Sequence, residues 1–164
     1  MTYNVTKGAL FMLKGILQTD KRLLKVIQKY GCLFLCFAHA SPIVFEGAEG
    51  IRTLNILWQK AEFDGIISGD LNKDGDYDDI GEAEVQTHDK LAQLFALPVR
   101  YDGKHRSPTE KIPDNVKIIF GCFFLKGTHF VILDRNLEVT FDSYGKSNTV
   151  KNGWLKDVRW YYED

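Results

Sequence analysis

The sequence predicts an α+β fold in which N-terminal helices precede a C-terminal antiparallel sheet. Residues 6–97 repeat apolar side chains at helical spacing, whereas the residues after Pro98 form short β-rich runs. A length of 164 residues with 45% hydrophobic and 26% charged side chains is typical of one folded domain, so we expect a single domain over 1–164.

Four helical regions are predicted in the first part of the chain. From Thr6 to Lys29, Leu and Ile recur at intervals of three, four and seven, and Asp20 is the predicted N-cap between two short helices. The segment Cys32 to Ala40 is nearly all apolar, which is typical of a buried helix. The other two helices are predicted over Gly50 to Gln59 and Glu82 to Leu97.

Five strands follow, separated by turn-forming residues. They are predicted over Val99 to Tyr101, Val116 to Leu125, Thr128 to Leu133, Leu137 to Phe141 and Trp154 to Tyr162. Because the connections are short, the strands are expected to pair antiparallel, with the apolar helix at Cys32 packed on the sheet.

The charge and the apolar runs limit the possible partners. With 21 basic and 22 acidic residues, the chain has no basic field for a nucleic acid, so we expect no nucleic-acid partner. The apolar run from Cys32 to Phe45 is too short to span a bilayer. The apolar stretch from Ala9 to Leu17 is broken by Lys14 and follows no charged n-region, so no secretory signal is expected. We expect no membrane association and a cytoplasmic location, with release by lysis as the alternative; the oligomeric state stays open.

Cys32 is the candidate nucleophile. It follows Gly31 and opens the buried helix, where the positive end of the helix dipole favours a thiolate. Cys36 lies one turn deeper and Cys122 lies in an apolar strand, so both are expected to be core residues. Three cysteines are too few for a disulfide framework.

A histidine and an acid occur on consecutive predicted strands. His129 begins one strand and Asp142 follows the next. If Arg135-Asn136 is a two-residue hairpin turn, directly opposed residues have numbers that sum to 271, as those of His129 and Asp142 do. The carboxylate would then orient the imidazole, as a catalytic triad requires.

These residues together resemble the papain-like cysteine peptidase superfamily. The likeness rests on Tyr30-Gly31-Cys32, on Gly127-Thr128-His129-Phe130-Val131-Ile132 and on Phe141-Asp142-Ser143-Tyr144, and it covers residues ~28–145. It is greatest to the bacterial peptidase domains that remove bacteriocin leaders, and the superfamily includes phage and bacterial enzymes that cut peptidoglycan peptides. The resemblance implies a papain-like fold, a peptide or peptidoglycan-peptide substrate, and Cys32, His129 and Asp142 as nucleophile, general base and orienting acid.

The sequence departs from this family at two points. Gly31 precedes the candidate nucleophile, where the family has a glycine after it, and Gln28 is the candidate for the family's oxyanion-stabilising glutamine although it is only four residues upstream. Without that donor, catalysis would fall by roughly 10²–10³-fold. A catalytically degenerate binding or structural module, such as a phage accessory protein, is therefore the alternative function.

An acidic segment between Glu62 and Asp89 holds 10 of the 22 acids. Within it, Asp70, Asn72, Asp74, Asp76 and Asp78 follow the pattern of the first nine positions of a calcium-binding loop, with a glycine at position 6. Position 12 is Gly81 instead of an acid, which weakens the motif. We expect either weak structural Ca²⁺ binding in the loop 70–82 or an exposed turn. Zinc binding by Cys32, Cys36 and His39 is disfavoured because no second ligand pair has a suitable spacing.

Overall fold

The structure, a computed structural model, describes residues 13–164 and confirms an α+β fold. Its elements in chain order are β1 (Leu13–Lys14), α1 (Lys25–Tyr30), α2 (Cys32–Ala40), β2 (Phe45–Glu46), α3 (Gly47–Phe63), α4 (His88–Leu94), β3 (Val99–Tyr101), β4 (Val116–Phe124), β5 (Thr128–Leu133), β6 (Val139–Asp142), α5 (Asn148–Asn152) and β7 (Trp154–Glu163). Short β1 and β2 pair parallel, and the other strands form one antiparallel sheet in the order β3-β7-β4-β5-β6.

Helix α2 is the buried helix of the fold. Its side chains from Leu33 to Ala38 are all buried, and it packs on β5 and β6. Helix α3 buries one stripe of side chains and exposes the rest, as its amphipathic spacing requires. That stripe consists of Gly50, Ile51, Leu54, Trp58 and Ala61.

The predicted helix from Thr6 to Lys29 is wrong over most of its described part. Residues 6–12 lie outside the described residues, and only α1 is helical between residues 13 and 29. Asp20 does not cap a helix, because its side chain accepts hydrogen bonds from Arg22 in a local turn. The apolar spacing has another cause, since Leu13 enters the core from β1, and Ile16 and Leu23 enter it from the irregular segment that follows.

The predicted helix from Glu82 to Leu97 is shorter in the structure, where only α4 is helical. Its first residues instead pair with the segment after α3: Ser68 donates its N–H to the Glu84 carbonyl, and Gln86 donates to Ile66. Ala83 has a left-handed backbone with φ 53°, which interrupts a helix. Tertiary pairing therefore overrides the helical apolar pattern over residues 82–87.

The remaining helix and strand predictions are confirmed within a few residues. Each predicted strand is present, although β6 runs from Val139 to Asp142 instead of from 137 to 141. None of the helices in residues 13–164 is both long and apolar enough to cross a membrane.

Candidate active site

Cys32 is the first residue of α2 and is partly exposed. The preceding Gly31 allows α1 to run directly into α2, because a Cβ there would lie 2.5 Å from the Ile27 carbonyl oxygen. The glycine before the cysteine is thus a packing requirement. Gly31 is the N-cap residue of α2 and has no side chain that could accept from the first N–H groups of the helix. Those N–H groups therefore stay directed towards the helix N-terminus, where Cys32 lies.

His129 and Asp142 meet, but not by the predicted register. The hairpin turn contains three residues, 135–137, and Leu137 is left-handed with φ 62°. Compared with the predicted two-residue turn, one added residue shifts the pairing by one and would place Asp142 on the opposite face of the sheet from His129. A bulge between Ile132 and Leu133 shifts the pairing by one more residue and restores the shared face. Asp142 therefore pairs with Val131 and lies diagonal to His129 on the same face.

The contact between these two residues is short and buried. His129 Nε2 lies 2.7 Å from Asp142 Oδ1, and both side chains are at most 5% exposed. The Cys32 thiol lies close enough to the same imidazole to raise the pKa of His129. Because Nε2 is occupied by the carboxylate, Nδ1 is the ring nitrogen left for the thiol proton. The structure thus brings together the three residues predicted as a triad.

The loop after β6 holds the Asp142 carboxylate. Tyr144 N–H donates to Oδ1 at 3.0 Å, and Ser147 N–H donates to Oδ2 at 2.9 Å. Burial alone raises the pKa of Asp142, but the hydrogen bonds from His129, Ser147 and Tyr144 outweigh it and hold that pKa well below its usual range. The carboxylate is therefore an anion throughout the neutral range.

Burial lowers the pKa of His129, and its neighbours outweigh that effect. Hydrogen bonds and charge from Asp142 and Cys32 raise the pKa of His129 to about 9. The imidazolium form is thus favoured between a fixed carboxylate and a thiol. A histidine placed between a carboxylate and a thiol is the arrangement that a cysteine nucleophile requires.

The other two cysteines differ chemically from Cys32. Burial, with smaller effects of Cys32 and Asp142, raises the pKa of Cys36 well above its ordinary value. Burial and the charge of Asp157 raise the pKa of Cys122 to about 11. Both thiols are buried, as predicted, which leaves Cys32 as the accessible thiol.

Gln28 does not occupy the position of an oxyanion donor. Its Nε2 donates to the Leu23 carbonyl at 2.7 Å, just before the start of α1. The Cys32 backbone N–H and the adjoining first-turn N–H groups of α2 are the donors that remain near the thiol. The sequence analysis missed Gln18, which contacts the site from an irregular segment, and Tyr144, whose ring centroid lies 5.0 Å from that of His129.

The acidic loop brings together a different set of residues from the predicted one. Within residues 13–164, one group of acids has ligand oxygens within 4.8 Å of one another: Asp74, Asp78 and Asp79. Asp70 instead accepts from Gly75 N–H at 2.7 Å, and Asp76 accepts from the N–H of Tyr77. Calcium binding stays a prediction: two of the predicted ligands, Asp74 and Asp78, lie together, and Asp79 joins them. Neither Cys36 nor His39 joins such a group.

A groove of about 730 Å³ runs beside β6, at the edge of the sheet, and reaches Asp142. It lies between residues 13–17 and β6, and His39, stacked on Phe141 at 4.1 Å between ring centroids, forms part of its wall. Neither Cys32 nor His129 lines it, so it is not the place where the thiol would meet a substrate.

Comparisons of this chain with protein-family models, with curated proteins and with solved structures gave no match. Any functional conclusion therefore depends on the geometry of the site itself.

Proposed function

We propose that this chain is a thiol hydrolase with a papain-like fold that cleaves a peptide or amide bond. The observation that carries the proposal is one imidazole that a buried carboxylate holds at 2.7 Å and that lies beside a thiol at a helix N-terminus. The carboxylate fixes the proton on the imidazole, the imidazole can accept the thiol proton, and the helix N-terminus favours a nucleophilic sulfur. The presence of all three at one point supports catalysis.

The proposed reaction begins with transfer of the Cys32 proton to His129 Nδ1. The thiolate attacks the substrate carbonyl carbon, and the resulting oxyanion is stabilised by backbone N–H groups at the start of α2. The imidazolium then protonates the leaving amine, which leaves a thioester on Cys32. Water, deprotonated by His129, hydrolyses the thioester and releases the acid. Asp142 keeps Nε2–H in place throughout and stays ionised.

A peptide, including a peptide crosslink of peptidoglycan, is the proposed substrate class. That part of the proposal rests on the resemblance of the motifs around Cys32, His129 and Asp142 to peptidases that cut such peptides. The chemistry of the triad itself requires only a carbonyl with an amine leaving group.

A catalytically degenerate binding module is the second candidate. The observation that favours it is the amide of Gln28, which is directed to the Leu23 carbonyl and stabilises no oxyanion. In that case the thiol and imidazole would persist as a structural pair, and peptides would bind without being cut.

Trapping the covalent intermediate separates the two candidates. The protein is mixed with a defined peptide library and with crosslinked muropeptides, quenched in acid, and digested for mass spectrometry of each cysteine. A hydrolase is expected to carry a hydroxylamine-sensitive acyl group on Cys32, and Cys32→Ala is expected to abolish both the acyl group and product release.

Cys122→Ala provides the matched control, because it removes a buried thiol of raised pKa that the proposed reaction does not use. It should leave acylation unchanged. Peptide binding without acylation or product, in a protein with an intact Cys32, would contradict the hydrolase and favour the binding module.

A further inference from the structure

Gln18 is a buried polar residue outside every helix and strand of the fold, with 1% of its surface exposed. Its Nε2 donates to the Ile27 carbonyl at 3.0 Å and to the Gln28 carbonyl at 3.2 Å. Its Oε1 accepts from Ser143 Oγ at 2.5 Å, and its backbone N–H donates to the Ser143 carbonyl at 2.8 Å. Both N–H bonds of the amide are thus used, and its oxygen has a buried donor.

The two ends of this bridge lie on opposite sides of the candidate active site. The two carbonyls belong to the last turn of α1, which runs directly into α2 and therefore sets the position of Cys32. Ser143 is completely buried and directly follows Asp142, the residue that holds His129. Gln18 thus links the backbone that carries the thiol to the backbone that carries the acid.

The amide of Gln18 has no capacity left for a substrate. Because both of its N–H bonds are directed to backbone carbonyls, it cannot donate to an oxyanion. A second hydrogen bond crosses the same gap, from Tyr144 Oη to the Gln28 carbonyl at 3.3 Å, but that tyrosine is partly exposed. Among residues 13–164, the buried side-chain link between the two sides is therefore Gln18.

We propose that Gln18 is the positioning residue of this site: it fixes the separation of Cys32 from the His129–Asp142 pair, an inference that rests on the proposed function. Thiol and imidazole occupy separate elements, α2 and β5, so their distance depends on how these elements are held together. A displacement of about 1 Å can lower the rate of a positioned reaction by roughly 10²-fold. The side chain of Gln18 contacts Ile27, Gln28 and Ser143, and none of these supplies a reacting atom.

Gln18→Met tests the proposal, because methionine approximates the volume of glutamine and cannot form the three side-chain hydrogen bonds. The rate of Cys32 alkylation by iodoacetamide is measured across the pH range by mass spectrometry, together with the melting temperature. We expect the rate near pH 6 to fall by about tenfold or more, while the rate near pH 10, where any exposed thiol is ionised, changes by less than about twofold.

Ser41→Ala is the matched control. Its hydroxyl is also completely buried and donates across the fold, to the Phe95 carbonyl at 2.6 Å, but it lies at the far end of α2 from Cys32. It should lower stability without changing the pH profile of alkylation. If Gln18→Met does not fold, Ser143→Ala removes the Oε1 partner alone and is expected to change the profile in the same direction.

The outcomes distinguish this inference from the proposed function. A wild-type Cys32 that reacts rapidly at low pH, with an unchanged profile in a folded Gln18→Met or Ser143→Ala variant, would overturn the positioning role and leave the hydrolase intact. An equal change of profile in Ser41→Ala would also overturn it, since any loss of stability would then suffice. A wild-type Cys32 with no low-pH reactivity and no acylation would contradict the proposed function itself.

Discussion

The substitution Asp142→Asn isolates the electrostatic link between the acid and the imidazole. The asparagine keeps the size of the side chain and one carbonyl oxygen, but it removes the anion that lies 2.7 Å from His129 Nε2. His129 has a folded-state pKa of about 9 against an ordinary value of 6.5, so the folded protein binds this proton more tightly than the unfolded chain. The resulting stabilisation is complete below 6.5 and is lost as the pH rises through about 9.

The magnitude follows from those two pKa values. Near pH 7 a raised pKa of this size adds on the order of 2 kcal/mol to the free energy of unfolding, and near pH 10 it adds almost nothing. We therefore expect the stability difference between the wild type and Asp142→Asn to shrink by on the order of 2 kcal/mol between these conditions. Any loss of the hydrogen bonds that Asp142 accepts from the N–H groups of Tyr144 and Ser147 contributes equally at both pH values, so it cancels from the comparison.

Urea unfolding followed by tryptophan fluorescence measures this difference, because Trp58 and Trp160 are both at least 97% buried and report loss of the core. His88→Gln serves as the control, since it alters a half-buried histidine whose ring contacts Tyr161 and not Asp142. A stability difference for Asp142→Asn that is the same near pH 7 and near pH 10 would refute the electrostatic reasoning.

Three further predictions concern other parts of the molecule. Gly31→Ala is expected to lower folding stability by about 2 kcal/mol or more and to slow Cys32 alkylation, because its Cβ would lie 2.5 Å from the Ile27 carbonyl oxygen. Gly69→Ala is the control: a Cβ there would have 3.6 Å of space, so stability should change by less than about 0.5 kcal/mol. Equal losses of stability in the two variants would contradict the packing argument. Burial and the charge of Arg159 lower the pKa of His88 to about 4, so its contribution to folding stability is present above pH 6.5 and is lost as the pH falls towards 4. The contribution is on the order of 2 kcal/mol, and His88→Gln should therefore reduce the fall of stability between these pH values. An unchanged fall would show that other groups cause it. If the acidic loop binds calcium, Ca²⁺ at about ten times its Kd should raise the melting temperature by about 3–6 °C, an effect that EGTA reverses and Asp79→Asn removes. An equal shift with Mg²⁺, or no shift, would leave the loop a simple turn.

The order of helices and strands could be predicted because it depends on local pattern. The apolar run of α2 and the alternating residues of β5 are buried as their periodicity indicates. The pattern fails where a distant segment supplies the hydrogen bonds. Glu82 shows this most clearly: its carboxylate accepts from the N–H groups of Leu71 and Asp79, so it is part of a loop instead of a helix.

The candidate triad could be predicted as a set of residue types, but its geometry could not. The sequence places a cysteine at a helix start and a histidine and an acid on successive strands. The contact between His129 and Asp142 depends on a three-residue turn and a bulge at Thr140, which together displace the pairing by two residues. Neither feature has a strong sequence signal, since the left-handed turn residue is Leu137 instead of glycine.

Gln18 had no signal in the sequence. Its main side-chain partner, Ser143, is 125 residues away, and a single glutamine beside apolar residues is not distinguishable from an exposed one. Gln28, by contrast, was proposed because the resembled family has a glutamine a few residues before the cysteine, and its amide is occupied by a local carbonyl. Short sequence distance was therefore a poor guide to function at both glutamines.

The most direct test of the central claim is the pH dependence of alkylation at each of the three cysteines in the native protein, with His129→Ala as the comparison. A thiolate–imidazolium pair predicts that Cys32 alone reacts rapidly well below pH ~8, and that this reactivity is lost in His129→Ala. If Cys32 instead reacts as an ordinary thiol, with a rate that rises steeply only near pH ~8.5 in both proteins, the imidazole does not activate it and the hydrolase account is wrong.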